Sequence, residues 1–237
     1  MYKKFFILGL IYLAWGWFMI IPNNKVKIIF CNVGQGDAAL VTSGYFQMLI
    51  DTGPVKGNIE KCLDENLPLG DKKLEIVLLS HNDSDHSGAL ENLKKYYQID
   101  KILRLGDLYN GDVVTGNNFK FEVLFPDVGL AERSNDSVVG VLMFNDKNIL
   151  FTGDIDELVE NSIINRINVP IDVVKLSHHG SKTGNSEQWL EKINAKFAVV
   201  SVGKNSYGHP SAEVLGRVLE IGTSVLRTDL NGSLIIE

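Results

Sequence analysis

The stretch SHNDSDHSG, Ser80 to Gly88, places two histidines and two aspartates directly after the apolar run LEIVLL, Leu74 to Leu79. Strands usually leave their sheet through turn residues that bind nothing. This one leaves through His81, Asp83, Asp85 and His86. Imidazole and carboxylate are good ligands for Zn²⁺ and Mn²⁺. In an irregular loop, residues at i, i+2, i+4 and i+5 can converge. His81 with Asp83 would serve one ion, and Asp85 with His86 a second. Two neighbouring ions need a carboxylate between them from another part of the chain, and Asp154 in LFTGD is the candidate. Aspartate, asparagine and serine also make plain solvated turns. Two histidines at this spacing behind a buried strand speak for metal.

Three other apolar runs end in metal-competent residues. They are Asp51 in LIDTG, Asp154 in LFTGD, and His178-His179 in VVKLSHHGS. Strand ends followed by loops are where α/β proteins build their sites. The spacing does not choose between His178 and His179. The turn GQGD, Gly34 to Asp37, lacks the Lys-Ser/Thr that completes a phosphate-binding P-loop. It is read as a tight turn, with Asp37 bonding backbone amides beside the metal loop. His209 in NSYGHPS is a ligand, a substrate contact or a loop residue; glycine and proline around it define a tight loop. Lys182, Asn205, Tyr207 and His209 are the substrate-side candidates. Lys175 and Lys204 also lie near the site loops, where they would either hold an anion or simply face solvent.

Outward from these loops, the chain alternates short apolar runs with helical patterns. KVKIIFCNV, AALVTSG and YFQMLIDTG read as an antiparallel meander. A weak helical pattern follows over 58–67, then the buried strand KLEIVLLS and the helix SGALENLKKYY. The second half repeats the rhythm. KILRLGD, FKFEVLFP, SVVGVLMFN and KNILFTGD read as strands, and IDELVENSIINR as a helix. VPIDVVKLSHHG is a buried strand, NSEQWLEKI a helix, AKFAVVSVG a strand, and SAEVLGRVLEIG a helix capped by Ser211 and stopped at Gly222. SVLRTD and GSLIIE close the chain around an Asn-Gly turn, as a hairpin would. Two halves that each combine strands and helices predict two packed sheets with helices outside, a four-layer αββα arrangement. No linker interrupts residues 25–237, which read as one domain.

The 237 residues carry a net charge of −6, which argues against a broad basic nucleic-acid surface. Bound divalent ions would reverse the local sign, so nucleic acid stays open as a substrate. The two cysteines, Cys31 and Cys62, make no disulfide framework. They are read as two buried thiols, with a single bridge as the alternative. Residues 1–24 differ in kind: Lys3 and Lys4 precede an uncharged apolar run over 5–21 that contains Trp15 and Trp17. The run is somewhat short for a membrane span and long for a signal-peptide core. It is read as an uncleaved anchor with the lysines in the cytoplasm, which puts the catalytic domain outside. The alternative is a cleaved signal peptide and a secreted protein.

HNDSDH resembles the His-x-His-x-Asp-His signature of the metallo-β-lactamase superfamily, with Asp83 where the second histidine usually stands. NVGQGDAALV, LIDTG, LSHNDSDHSG, SNDSVVGVL, LFTGD, VKLSHHGS, SVGKNSYGHP and RTDLNGSL follow in the order of the hydrolase domain of ComEC/Rec2 competence proteins. The resemblance spans about residues 26–237. It implies the αββα fold and a pair of divalent ions, Zn²⁺ or Mn²⁺, that activate a water. His81 and Asp83 would bind the first ion, and Asp85 and His86 the second. Asp85 would also orient the attacking water, Asp154 would bridge, and His178 or His179 would complete the set. Asp51 would support the metal loop. The usual third-motif histidine has no counterpart; Asn135 and Ser137 stand in that region. The substrate implied is an anionic phosphodiester, in the first instance single-stranded DNA, with a channel protein as partner. Two competing readings keep the fold: a cell-envelope phosphorylcholine-type esterase, and a non-catalytic partner of a competence channel.

Overall fold

The computed structural model describes residues 22–129 and 137–237. The expected N-terminal anchor lies outside them for all but its last three residues, as does Asn135. Among the described residues no helix is long and apolar enough to cross a membrane.

Among the described residues thirteen strands form two sheets. The first contains β1 (Val26–Phe30), β2 (Ala39–Ser43), β3 (Phe46–Ile50), β4 (Lys73–Leu78), β5 (Gln98–Leu103) and β13 (Leu234–Ile236), in the order β13-β1-β2-β3-β4-β5. The second contains β6 (Val113–Thr115), β7 (Lys120–Phe125), β8 (Val139–Phe144), β9 (Lys147–Phe151), β10 (Val173–Lys175), β11 (Phe197–Val200) and β12 (Ser224–Arg227), in the order β12-β11-β10-β9-β8-β7-β6. Each sheet is part antiparallel and part parallel. β1, β2 and β3 form the expected meander, with Ile28 opposite Val41 and Val41 opposite Met48.

Side chains alternate across each strand. In β1, Ile28 and Phe30 enter the core between the sheets, while Ile29 faces the helices Ile59–Asn66 and Leu90–Tyr96. In β9, Ile149 and Phe151 enter the same central core, and Leu150 faces the helices Glu157–Ile163 and Glu187–Ile193. Phe30 and Phe151 stack across the sheet interface with centroids 5.6 Å apart. Strands buried on both faces need apolar residues at every position, so these runs are continuous rather than alternating. The result is the four-layer αββα fold.

Three expectations need correction. Cys31 and Cys62 are not free thiols; they form a disulfide between the end of β1 and the helix Ile59–Asn66. Closing a loop with a sequence separation of 31 removes chain entropy worth about 3–4 kcal/mol in the unfolded state. The last two strands are not a hairpin: β12 belongs to the second sheet and β13 to the first, joined by the helical turn Thr228–Asn231. Both are short runs with two or three apolar residues, and only the packing assigns them to different sheets. β6 is a three-residue edge strand that the sequence pattern did not show.

β3 and β4 run parallel, as do β9, β10 and β11. The C-terminal ends of each parallel set therefore emerge on one edge of its sheet, and the loops that follow them hold His81, Asp83, Asp85, His86, Asp154, His178 and His179.

Candidate metal centre

Four imidazoles surround Asp154. His86 Nε2 lies 3.3 Å from its Oδ1. His179, His81 and His178 present Nε2 to Oδ2 at 3.7, 3.9 and 3.9 Å. Asp83 Oδ2 lies 3.6 Å from His81 Nε2, and Asp85 Oδ2 lies 3.1 Å from His179 Nε2. Two ligand pairs thus meet at Asp154, Asp83 with His81 and Asp85 with His179, while His86 faces its Oδ1 and His178 its Oδ2. Both late histidines face Asp154, His179 buried and His178 partly exposed.

The other ring nitrogen of the inner histidines is already engaged. His86 Nδ1 donates to Asp51 Oδ2 at 2.9 Å, and His179 Nδ1 to the Ser201 carbonyl at 2.8 Å. His81 Nδ1 contacts Ser80 Oγ at 3.0 Å and Ser137 Oγ at 3.3 Å. A proton held at Nδ1 leaves the Nε2 lone pair aimed at Asp154, which is how protein surroundings orient metal-binding imidazoles. Asp51 adopts a left-handed conformation (φ 57°) and also accepts from Ser80 N and Oγ, both at 2.7 Å. It supports the loop from behind, as expected.

The donor set fits divalent ions. His81 Nε2, His86 Nε2 and Asp154 Oδ1 are buried with no hydrogen-bond partner. Leaving such groups unpaired costs about 1–3 kcal/mol each. These three residues offer ligand atoms all within 4.8 Å of one another. A bound cation would satisfy them together.

The electrostatics point the same way. Burial would raise the Asp154 carboxyl, but His86, Lys175 and His179 hold it well below the usual range. Burial would lower His86, but Asp154, Asp51 and Asp37 hold it well above the usual imidazole range. Burial pushes His81, His178 and His209 down.

The glycine-rich turn serves this loop by contact. Asp37 N donates to the Asp85 carbonyl at 3.0 Å. A Cβ on Gly36 (φ 138°) would run into that same carbonyl, so only glycine permits the approach. The Asp37 carboxylate does not bond backbone amides as expected. It pairs with the Lys175 ammonium and lies 3.7 Å from His86 Nδ1 and 3.7 Å from His179 Nδ1. Lys175 is correspondingly not a surface lysine reaching for substrate; it is 3% exposed. A lone lysine inside the apolar run VVKL was the available signal, because a buried ammonium needs a carboxylate partner. Ser137, in the region where a third-motif histidine was missed, accepts from Asp154 N at 3.0 Å and touches His81.

The outer rim is the loop from Gly203 to Pro210. Asn205 is not free to bind substrate. Its Oδ1 accepts from Tyr207 N, Gly208 N and His209 N at 3.0–3.1 Å, and its Nδ2 donates to the Gly203 and His209 carbonyls. It is the frame of the loop. His209 stands 5.4 Å from His178 between ring centroids, and Tyr207 stacks on His209 at 5.9 Å. Tyr207 is 75% exposed, and Lys182 is exposed as well.

Residues 31–113 match the family model described as the metallo-beta-lactamase superfamily. The chain is 28% identical over 255 residues to ComE operon protein 3 of Bacillus subtilis, covering 90% of this chain and 33% of that protein. It is 31% identical over 228 residues to competence protein ComA of Neisseria gonorrhoeae, covering 90% of this chain and 32% of the relative. The chain therefore spans about a third of the length of these curated relatives. Among solved structures, the metallo-beta-lactamase fold protein YhfI from Bacillus subtilis superposes with a TM-score of 0.61 at 10% identity, over 90% of this chain and 100% of that one. At that identity the likeness concerns the fold alone.

Proposed function

We propose, from the match of residues 31–113 to the metallo-beta-lactamase superfamily and from the similarity to relatives of the ComEC/Rec2 competence type, that the chain is a metal-dependent phosphodiesterase that cleaves single-stranded nucleic acid outside the cytoplasmic membrane during DNA uptake. The observation that carries this reading is the convergence of nitrogen and oxygen ligand pairs on Asp154 beneath an open rim.

Two divalent ions, Zn²⁺ or Mn²⁺, would be held by His81, Asp83, Asp85, His86, Asp154, His178 and His179, and would supply a water of lowered pKa and positive charge opposite the forming anion. The protein does the rest. Asp85 sits at about 2, because the hydrogen bond from His179 and the nearby imidazoles outweigh its burial. Such a carboxylate stays ionised and accepts a hydrogen bond from a water, which orients it; it is a poor base. Asp51, Ser80 and the Ser201 carbonyl fix the inner imidazoles before any ligand arrives. Tyr207 presents an aromatic face at the rim, where an unpaired base can stack. Exposed Lys182 adds positive charge along the path of a backbone.

Two further features support the location. A disulfide persists in oxidising surroundings, which agrees with an outward-facing domain. Lys3 and Lys4 precede the apolar run over 5–21, which agrees with an anchor whose basic end stays inside. The relatives' names carry the competence context, and a channel protein would be the partner. The phosphorylcholine reading loses ground. Among the described residues, Tyr207 is the one tyrosine stacked on a histidine of the centre, and a choline cage takes several aromatic walls.

The test is cleavage of a single-stranded oligonucleotide by the full chain with Mn²⁺ or Zn²⁺, with Asp154→Ala alongside. Cleavage by the wild type that the variant loses is expected. No cleavage of any phosphodiester, or equal cleavage by the variant, would sink the reading.

A further inference from the structure

Among the described residues, Lys175 and its partner Asp37 are charged groups at the centre that neither the metal ligands nor the rim account for. Lys175 ends β10 with its ammonium buried beneath the imidazoles. Nζ donates to the Gly153 carbonyl at 3.0 Å, pairs with Asp37 Oδ2, and lies 3.5 Å from Asp154 Oδ1. Burial would lower it, but Asp37 and Asp154 outweigh burial and keep it charged. Asp37, His86 and His179 form a cluster with the composition and spacing of a cation site. Yet His86 and His179 turn their Nδ1 atoms there, already committed to Asp51 and Ser201. The cation that faces Asp37 is the lysine.

Among the described residues five carboxylates gather here: Asp37, Asp51, Asp83, Asp85 and Asp154. Two divalent ions would neutralise four of them. The lysine neutralises the fifth.

We propose that Lys175 is a built-in cation of the centre, a positioning residue that, paired with Asp37, sets how tightly the centre takes its second divalent ion. The proposal rests on reading the cluster as a metal centre. The Lys175 charge faces Asp154 Oδ1, the oxygen that His86 also faces, so it acts on an ion held by Asp154 and His86. Charges at this range, shielded from solvent, act strongly on one another. Removing the lysine adds one uncompensated negative charge. Removing Asp37 adds one uncompensated positive charge.

The experiment is titration calorimetry of the full chain with Mn²⁺ alone, for wild type, Lys175→Met, Asp37→Asn and the double variant, with thermal unfolding measured beside it. Asp37→Asn is expected to weaken the second ion tenfold or more, and Lys175→Met to tighten it by a similar factor. The double variant, whose buried pair is neutral, should return to within about threefold of wild type. Where Asp37→Asn alone fails to fold, Lys175→Met and the double variant still give the sign. A lysine with a purely structural role would lower the unfolding temperature and leave the affinities unchanged, which overturns the proposal, as would two single losses that add in the double variant. A wild type that binds no ion defeats the metal-centre reading itself, and this proposal with it. A wild type that binds ions with variants that match it defeats the proposal alone.

Discussion

The inner and outer sides of the centre use the same residue types, and the fold treats them differently. His86 and His179 are buried, and each has its second ring nitrogen tied to a fixed acceptor, Asp51 or the Ser201 carbonyl. On the outer side the Asp83 side chain is 68% exposed and that of His178 36%. His178 has only a 3.4 Å contact from Thr183 Oγ1 behind it. The lesson concerns desolvation. A buried ligand must be oriented by protein before an ion arrives, since no water is there to satisfy it. An exposed ligand can wait in solvent and be ordered by the ion.

The comparison can be broken at four points. Asp154→Ala removes the carboxylate common to both sides, and turnover of the metal-loaded full chain should fall by about three orders of magnitude; steady-state cleavage assays read this. Asp51→Asn keeps the shape but withdraws the anion behind His86. Metal affinity, measured by calorimetry, should drop about 10–100-fold, the range for partners that orient a ligand. Asp83→Ala, on the solvated side, should weaken one ion about tenfold and leave thermal unfolding of the metal-free chain unchanged; equal damage from Asp83→Ala and Asp51→Asn would erase the distinction between the two sides.

The smallest effect is on acid stability. Asp85 stands at about 2 in the folded metal-free chain against an ordinary value of 3.8, because His179 and the other imidazole charge outweigh burial. A carboxyl depressed by folding stabilises the fold above its unfolded value and loses that contribution as pH falls toward its folded value. With a third of its side chain exposed, solvent screening reduces the contribution to about 1 kcal/mol. Urea unfolding at pH 5 and pH 2 should therefore show the gap between wild type and Asp85→Asn closing by that amount.

Much of this was legible in the residues. His81, Asp83, Asp85, His86, Asp154, His178 and His179 were named from strand-end position and ligand chemistry, and the structure brings all seven to one place. The supporting role of Asp51 is implied by the family resemblance; LIDTG alone marks it only as another metal-competent strand end. Asn205 was assigned to substrate, and the structure spends its whole amide on the loop. Nothing local separates an asparagine that caps a turn from one that faces a ligand. The Cys31–Cys62 bridge was set aside because two cysteines carry no pairing pattern; 5.9 Å between their Cα atoms is a fact of packing.

The sequence by itself determined the layers, because apolar runs buried on both faces and helices with one apolar side can be satisfied by few arrangements. It also determined which residues stand ready for metal, because ligand type and strand-end position are both written in the chain. Only the tertiary structure decided who lies behind those ligands. β12 and β13 are both short runs with two or three apolar residues and belong to different sheets. Lys175 and Asp37 are 138 positions apart, and meet only where the turn after β1 closes over the end of β10. Contacts between distant segments depend on where whole sheets come to rest, and no short-range pattern of side chains encodes that.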